Sequence, residues 1–241
     1  MSNKTGKKLF DFVIINGIII VLIVVVAVMS FSGQSVSVFL NGDRAIYKGN
    51  TDSNYVSLMF NVYWGTEYIT NILSVLERYG VKATFFIGGS WAEKNIDLLR
   101  TIADKGHEIA NHGYFHSDCK TLGRQSIYDE IYVTHKLVQN TLGQTMTLFA
   151  PPSGSYNSLT LQVAQQLGYN TIMWSKDTID WRDKDSALVY TRATKNVKGG
   201  DLILMHPTAH TLKALPDILS YYGQHNLQAV TVSQNINGTN G

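Results

Sequence analysis

The sequence predicts a parallel α/β domain behind an apolar N-terminal segment. Two observations carry the domain: helix-length amphipathic stretches alternate with short apolar runs, and a glycine closes nearly every helical stretch. Parallel neighbours need a crossover between them, so this alternation reads as a parallel sheet, either a barrel or a doubly wound layer. A third observation sets the front of the chain apart, because residues 12–32 carry no charge.

Residues 1–11 hold three lysines (Lys4, Lys7 and Lys8) against Asp11 and are expected to form a cytoplasmic basic tail. Residues 12–32 follow as a transmembrane signal anchor, since about 20 residues at ~1.5 Å each cross the ~30 Å hydrocarbon layer. The run exceeds the ~7–15-residue core of a cleaved signal peptide, and no small-x-small site precedes Ser32. A buried core helix is the competing reading; apolarity on every face disfavours it. The lysines then place the following domain outside the cytoplasm, on a single-pass cell-membrane protein.

Residues 33–52 read as a linker with a hairpin, "VSVFLNGDRAIYKG", turning at Asn-Gly-Asp. Residues 53–234 carry the repeating pattern. "VSLMFN" opens it. "YITNILSVLERYG" leads to "VKATFFIG", "WAEKNIDLLRTIADKG" to "HEIAN", and "IYDEIYVTHKLVQNTLG" to "QTMTLFA". "LTLQVAQQLG" leads to "YNTIMW", "ALVYTRATKNVKGG" to "DLILMH", and "ALPDILSYYG" to "LQAVTV". The count is about seven strands and six helices, each helix closed by a glycine suited to a left-handed C-terminal residue. Ser90 and Glu93 have capping-box spacing. Residues 235–241 are expected to be a flexible tail.

The formal charge of +2 resides entirely in the first eleven residues, so the domain is neutral and lacks the basic surface that nucleic-acid binding needs. The lone Cys119 has no intramolecular disulfide partner; a plain loop cysteine is the favoured reading over a thiolate ligand three residues past His116. Asn61, His112, Ala150, Asp177 and His206 each fall at or just past the carboxyl end of a strand, the edge where α/β folds build sites. His112 and His116, spaced i, i+4, can face one metal, although two hydrogen-bonded surface histidines have the same spacing.

The order of these segments resembles the polysaccharide deacetylases of the nodulation-protein-B homology type, carbohydrate esterase family 4, from about Tyr55 to Val232. The resemblance implies a distorted (β/α)7 barrel that removes N-acetyl groups from cell-wall glycan, peptidoglycan or chitin-like, with a divalent metal, usually zinc. "HGYFH" matches the family's second motif and implies His112 and His116 as metal ligands. "LMH" matches the fifth and implies His206 as general acid, with Leu204 beside the substrate. "DTIDW" matches the fourth, implying that Asp177 tunes His206 and that Trp181 lies by the substrate. Pro152 and Gly154 of "APPSG" hold the third motif's substrate-side positions.

Two motifs depart from the pattern. The family's first motif carries a base aspartate followed by a metal-binding aspartate; "FNVYWG" fits a Phe-Asp-x-x-Trp-Gly variant of the spore-associated subgroup, with Asn61 at the base position and Val62 or Tyr63 where the ligand belongs. The third motif normally opens with an arginine that holds the base, and here opens with Ala150. Breaking one half of a buried ion pair costs about 3–5 kcal/mol, whereas losing both halves strands no charge. An amide cannot take a proton from water. Glu67, Asp118 and Asp180 are candidate substitute bases, each also readable as a solvated or capping residue; His107, His135 and His225 have no expected role. Two readings follow: a membrane-anchored, slow N-deacetylase, or a catalytically inactive relative that binds glycan through aromatics such as Tyr63, Trp64 and Trp181, or scaffolds the envelope.

Overall fold

A computed structural model describes Asn16 and residues 44–238. The expected basic tail, the expected anchor apart from the helical Asn16, and the first arm of the hairpin lie outside the described residues. Among the described residues no helix is long and apolar enough to cross a membrane.

Eight strands form one sheet: β1 (Tyr55–Val62), β2 (Thr84–Ile87), β3 (Glu108–Asn111), β4 (Leu148–Phe149), β5 (Asn170–Thr171), β6 (Lys176–Asp177), β7 (Leu202–Met205) and β8 (Gln228–Ala229). Every pairing between them is parallel, in the order β5-β4-β3-β2-β1-β7-β6, with β8 also on β1. The helices are α1 (Thr66–Arg78), α2 (Gly89–Lys94), α3 (Ile96–Asp104), α4 (Arg124–Leu142), α5 (Ser158–Gln166), α6 (Asp180–Asp183), α7 (Ser186–Thr194), α8 (Ala209–Gln224) and α9 (Val232–Asn237). This is a half-barrel of parallel strands, consistent with the (β/α)7 architecture. No ladder joins β5 to β6, and both are two residues long.

The second arm of the expected hairpin takes part in the sheet. Ile46 pairs in parallel with Ile172, and Lys48 bridges antiparallel to Asp201. Nor is residue 235 the start of a flexible tail. Thr231 and Gln234 form a capping box that starts α9, and Val232 packs inside the barrel beside Met59, Phe86 and Leu202. The Ser90–Glu93 box does not form: Gly88 precedes α2 with no side-chain cap, and Glu93 accepts the Tyr114 hydroxyl at 2.8 Å.

β1 is buried along its whole length. Its side chains alternate, as in any strand. Val56, Leu58, Phe60 and Val62 face the helical layer and join its core, whereas Met59 enters the barrel interior. Phe60 stacks on Phe85 with ring centroids 5.1 Å apart and planes 15° from parallel. Phe60→Ala should lower unfolding free energy by about 3–5 kcal/mol, the usual cost of deleting a fully buried phenylalanine. Urea denaturation measures it, and a loss under 1 kcal/mol would show that β1 does not anchor this core.

Candidate functional site

The alternation that sends Met59 inward sends Asn61 inward as well, at the carboxyl end of β1. Asn61 is 3% exposed and lines a cleft of about 400 Å³. Its Oδ1 is buried with no hydrogen-bond partner. Val62 points the other way into the helix-side core, so Tyr63, which lines the cleft, holds the position from which a second carboxylate could act. The Tyr63 ring stacks on His116 with centroids 3.6 Å apart, and Trp64 lies nearly parallel to His206 at 5.8 Å. Gly65 ends this turn at φ +75°, where a Cβ would collide with the Pro207 carbonyl oxygen, so only glycine lets the two loops approach.

His112 follows β3 and is buried; its Nδ1 lies 2.8 Å from the Ala150 carbonyl oxygen. A carbonyl only accepts, so Nδ1 carries the proton and Nε2 keeps its lone pair. His116 sits at φ +60° on the same loop. Glu130 of α4, 4% exposed, pins that loop: its carboxylate accepts the N–H groups of Tyr114 (2.7 Å) and Phe115 (3.0 Å) and the Ser117 hydroxyl (2.5 Å).

His206 ends the β7 segment and is held by Asp180, not by the expected Asp177. The Asp180 carboxylate is buried; it accepts the His206 backbone N–H (2.7 Å), its Nδ1–H (2.8 Å) and the Thr211 hydroxyl (2.5 Å). Asp177 instead accepts the Ile179 N–H at 2.8 Å. The reason is local: Ile179 adopts φ +51°, a conformation strained for a β-branched residue, and this bend carries Asp180 inward. Asp180 therefore orients an imidazole and is not a free base. Glu67 and Asp118 do not line the cleft, and Asp118 is bound to Ser155 and the Lys120 N–H.

The third-motif turn places Ser153, at φ +55°, on the cleft wall. Pro152 is buried and Gly154 abuts Trp174, so these two shape the turn without lining the cleft. Trp174, Trp181 and Leu204 complete the wall. Sequence reasoning missed Trp174, Ser153 and Glu130; only Trp174, an aromatic closing an apolar run, left a signal. His107, His135 and His225 lie elsewhere, bonded to the Ala83 N–H, the Tyr169 hydroxyl and the Tyr221 carbonyl.

Burial holds the His112 pKa down to about 3 and lowers that of His116 also, so both imidazoles are neutral at physiological pH. Their ring centroids are 5.0 Å apart, near the ~5 Å expected of two imidazoles on one tetrahedral metal. The rest of a metal set is missing. Among the described residues no three His, Cys, Asp or Glu side chains gather around one point. Cys119 lies in the helix-side core with its thiol pushed up to about 12 by burial. Two neutral rings and an amide do not fit a catalytic divalent ion, which takes three protein ligands.

Residues 48–172 match the family model "Polysaccharide deacetylase". The uncharacterised protein YlxY of Bacillus subtilis is 39% identical over 73% of this chain and 55% of its own length, so the chain spans about half of that relative. The peptidoglycan-N-acetylmuramic acid deacetylase PdaA of Bacillus subtilis is 28% identical over 78% of this chain and 74% of its own. A CE4 family pseudoenzyme from Bacillus anthracis superimposes with a TM-score of 0.79 at 33% identity, over 80% of this chain and 69% of that one. A mutant of that pseudoenzyme has restored enzymatic activity.

Two expectations follow. Glu130→Ala removes the acceptor of two loop N–H groups and should cost about 1–3 kcal/mol. Hydrogen exchange should quicken at Tyr114 and Phe115; unchanged exchange there would rule out the pinning role. Separately, burial lowers His107 to about 4 as it lowers His112 to about 3, below the ~6.5 of an unfolded histidine. The unfolded chain binds more protons between those values. Stability is therefore full above pH ~6.5 and declines as pH falls towards 4. Urea midpoints should show this decline, with a shallower one in His107→Gln.

Proposed function

The chain belongs to the polysaccharide deacetylase family, and from the state of its site we propose that it binds cell-wall glycan at the membrane surface without hydrolysing it. One observation carries this reading: Asn61 stands inward where the base belongs, while Tyr63 covers His116 where a metal-binding carboxylate would reach. A base commonly contributes 10²–10⁴-fold, and here position 61 supplies no base and position 63 no anionic metal ligand. The remaining cleft suits a sugar polymer: about 400 Å³, open, and walled by aromatic rings. The peptidoglycan activity named for PdaA and the existence of a pseudoenzyme of like fold support both halves of the proposal.

The uncharged residues 12–32 behind three lysines support a single membrane anchor with the barrel outside the cytoplasm. One observation favours slow hydrolysis as a second reading. His206 remains oriented by Asp180, its Nδ1 proton held by the carboxylate and Nε2 left to serve a leaving group.

The deciding measurement is acetate release by the full chain from peptidoglycan and N-acetylglucosamine oligomers, with zinc or cobalt added. The expected rate equals buffer alone, while the chain co-sediments with peptidoglycan. Asn61→Asp combined with Tyr63→Asp should gain zinc binding that the wild type lacks. Metal-dependent release that disappears in His206→Ala would overturn the proposal in favour of the slow enzyme.

A further inference from the structure

The cleft is rich in electron pairs and poor in cations. His112, whose Nδ1 proton is given to the Ala150 carbonyl, offers a lone pair at Nε2. Asp177 lines the cleft with a carboxylate that accepts a single protein hydrogen bond, from Ile179. Four aromatic side chains, Tyr63, Trp64, Trp174 and Trp181, share the wall, and among the described residues no lysine or arginine does. The guanidiniums nearest Asp177 are engaged elsewhere: Arg192 donates to the Thr178 carbonyl and to Asp183, and Arg182 donates to Asp183.

This chemistry is complementary to a cation bearing several N–H donors. Aromatic faces attract ammonium groups within ~6 Å, most strongly where water is excluded. A carboxylate that accepts one protein hydrogen bond keeps lone pairs for a ligand that brings N–H donors. An N-acetyl group keeps one N–H but brings bulk, no charge and a carbonyl oxygen, one more acceptor beside the two already there.

Resting on the glycan-binding reading above, we propose that the cleft recognises glycan that has already lost N-acetyl groups, seating the protonated amine of a 2-amino-2-deoxy sugar. Asp177 and the His112 lone pair accept its N–H groups, and the rings cover its faces. The reaction that supplies this ligand is hydrolytic de-N-acetylation of the polymer by another catalyst. The chain reads the product of the chemistry its family performs.

The test is calorimetric titration of the full-length wild-type chain with a glucosamine tetramer and with its fully N-acetylated counterpart. It is run at pH about 6, below the ~7.7–8.0 of an α-amino group, and at ~0.15 M salt to screen loose attraction. The amine tetramer is expected to bind about tenfold or more tightly than the acetylated one. Asp177→Asn, which keeps an acceptor for Ile179, should weaken the amine tetramer about tenfold and so erase most of its advantage over the acetylated one. Equal or tighter binding of the acetylated tetramer overturns the inference and leaves the glycan reading standing. Binding of neither overturns both. A preference for amine that survives Asp177→Asn overturns it too, because the cation then sits elsewhere.

Discussion

The arrangement depends on the burial of both faces of β1. It lies between β2 and β7, with β8 on its first residues, and water reaches almost none of it. Strand side chains alternate with period two, so register is fixed: a slip of one residue would move Val56, Leu58, Phe60 and Val62 out of the helix-side core. The same constraint delivers Met59 to the barrel interior and Asn61 to its mouth. The site inherits its central position from packing, and any residue at 61 would face the cleft.

That position makes the chemistry of residue 61 consequential. A carboxylate there needs a positive partner, and among the described residues neither an arginine nor a metal-binding cluster lines the cleft. With an amide at 61, an alanine at 150 and aromatic rings over two histidines, no ionised side chain is stranded at the end of β1. The histidines survive because each has other attachments: His112 to the Ala150 carbonyl, His206 to Asp180, His116 to the Tyr63 face. Three non-glycine residues at positive φ, His116, Ser153 and Ile179, sit on three different loops at this one edge. Backbone strain gathered there marks loops shaped for a ligand and not for folding alone.

The parallel half-barrel was legible because helix and strand periods differ and because glycines mark helix ends. Asn61, His112 and His206 were legible as strand-end residues facing one edge. Asp180 was not, because its inward turn follows from the left-handed Ile179, and a β-branched residue gives no hint of that conformation. Glu130 was hidden for another reason: it lies mid-helix and looks solvated until the loop it holds is packed against it. Residues 235–237, the end of the last helix, look like tail because six residues are too few to show a period, although its Thr-x-x-Gln start carries the capping signal.

The strap formed by residues 46–50 has a mechanical meaning. Ile46 exchanges backbone hydrogen bonds with Thr171 and Met173, and Gly49 and Asn50 donate to Gly200 and Asn235. Tension arriving from the segment before residue 44 loads these few bonds before it reaches Tyr55. The strap would peel as a fuse, with β1 still buried beneath it. The same strap reaches the cleft, because Ile46 accepts the Met173 N–H beside the wall residue Trp174, so a pull from the amino side would slacken that wall while β1 stays held by β2 and β7.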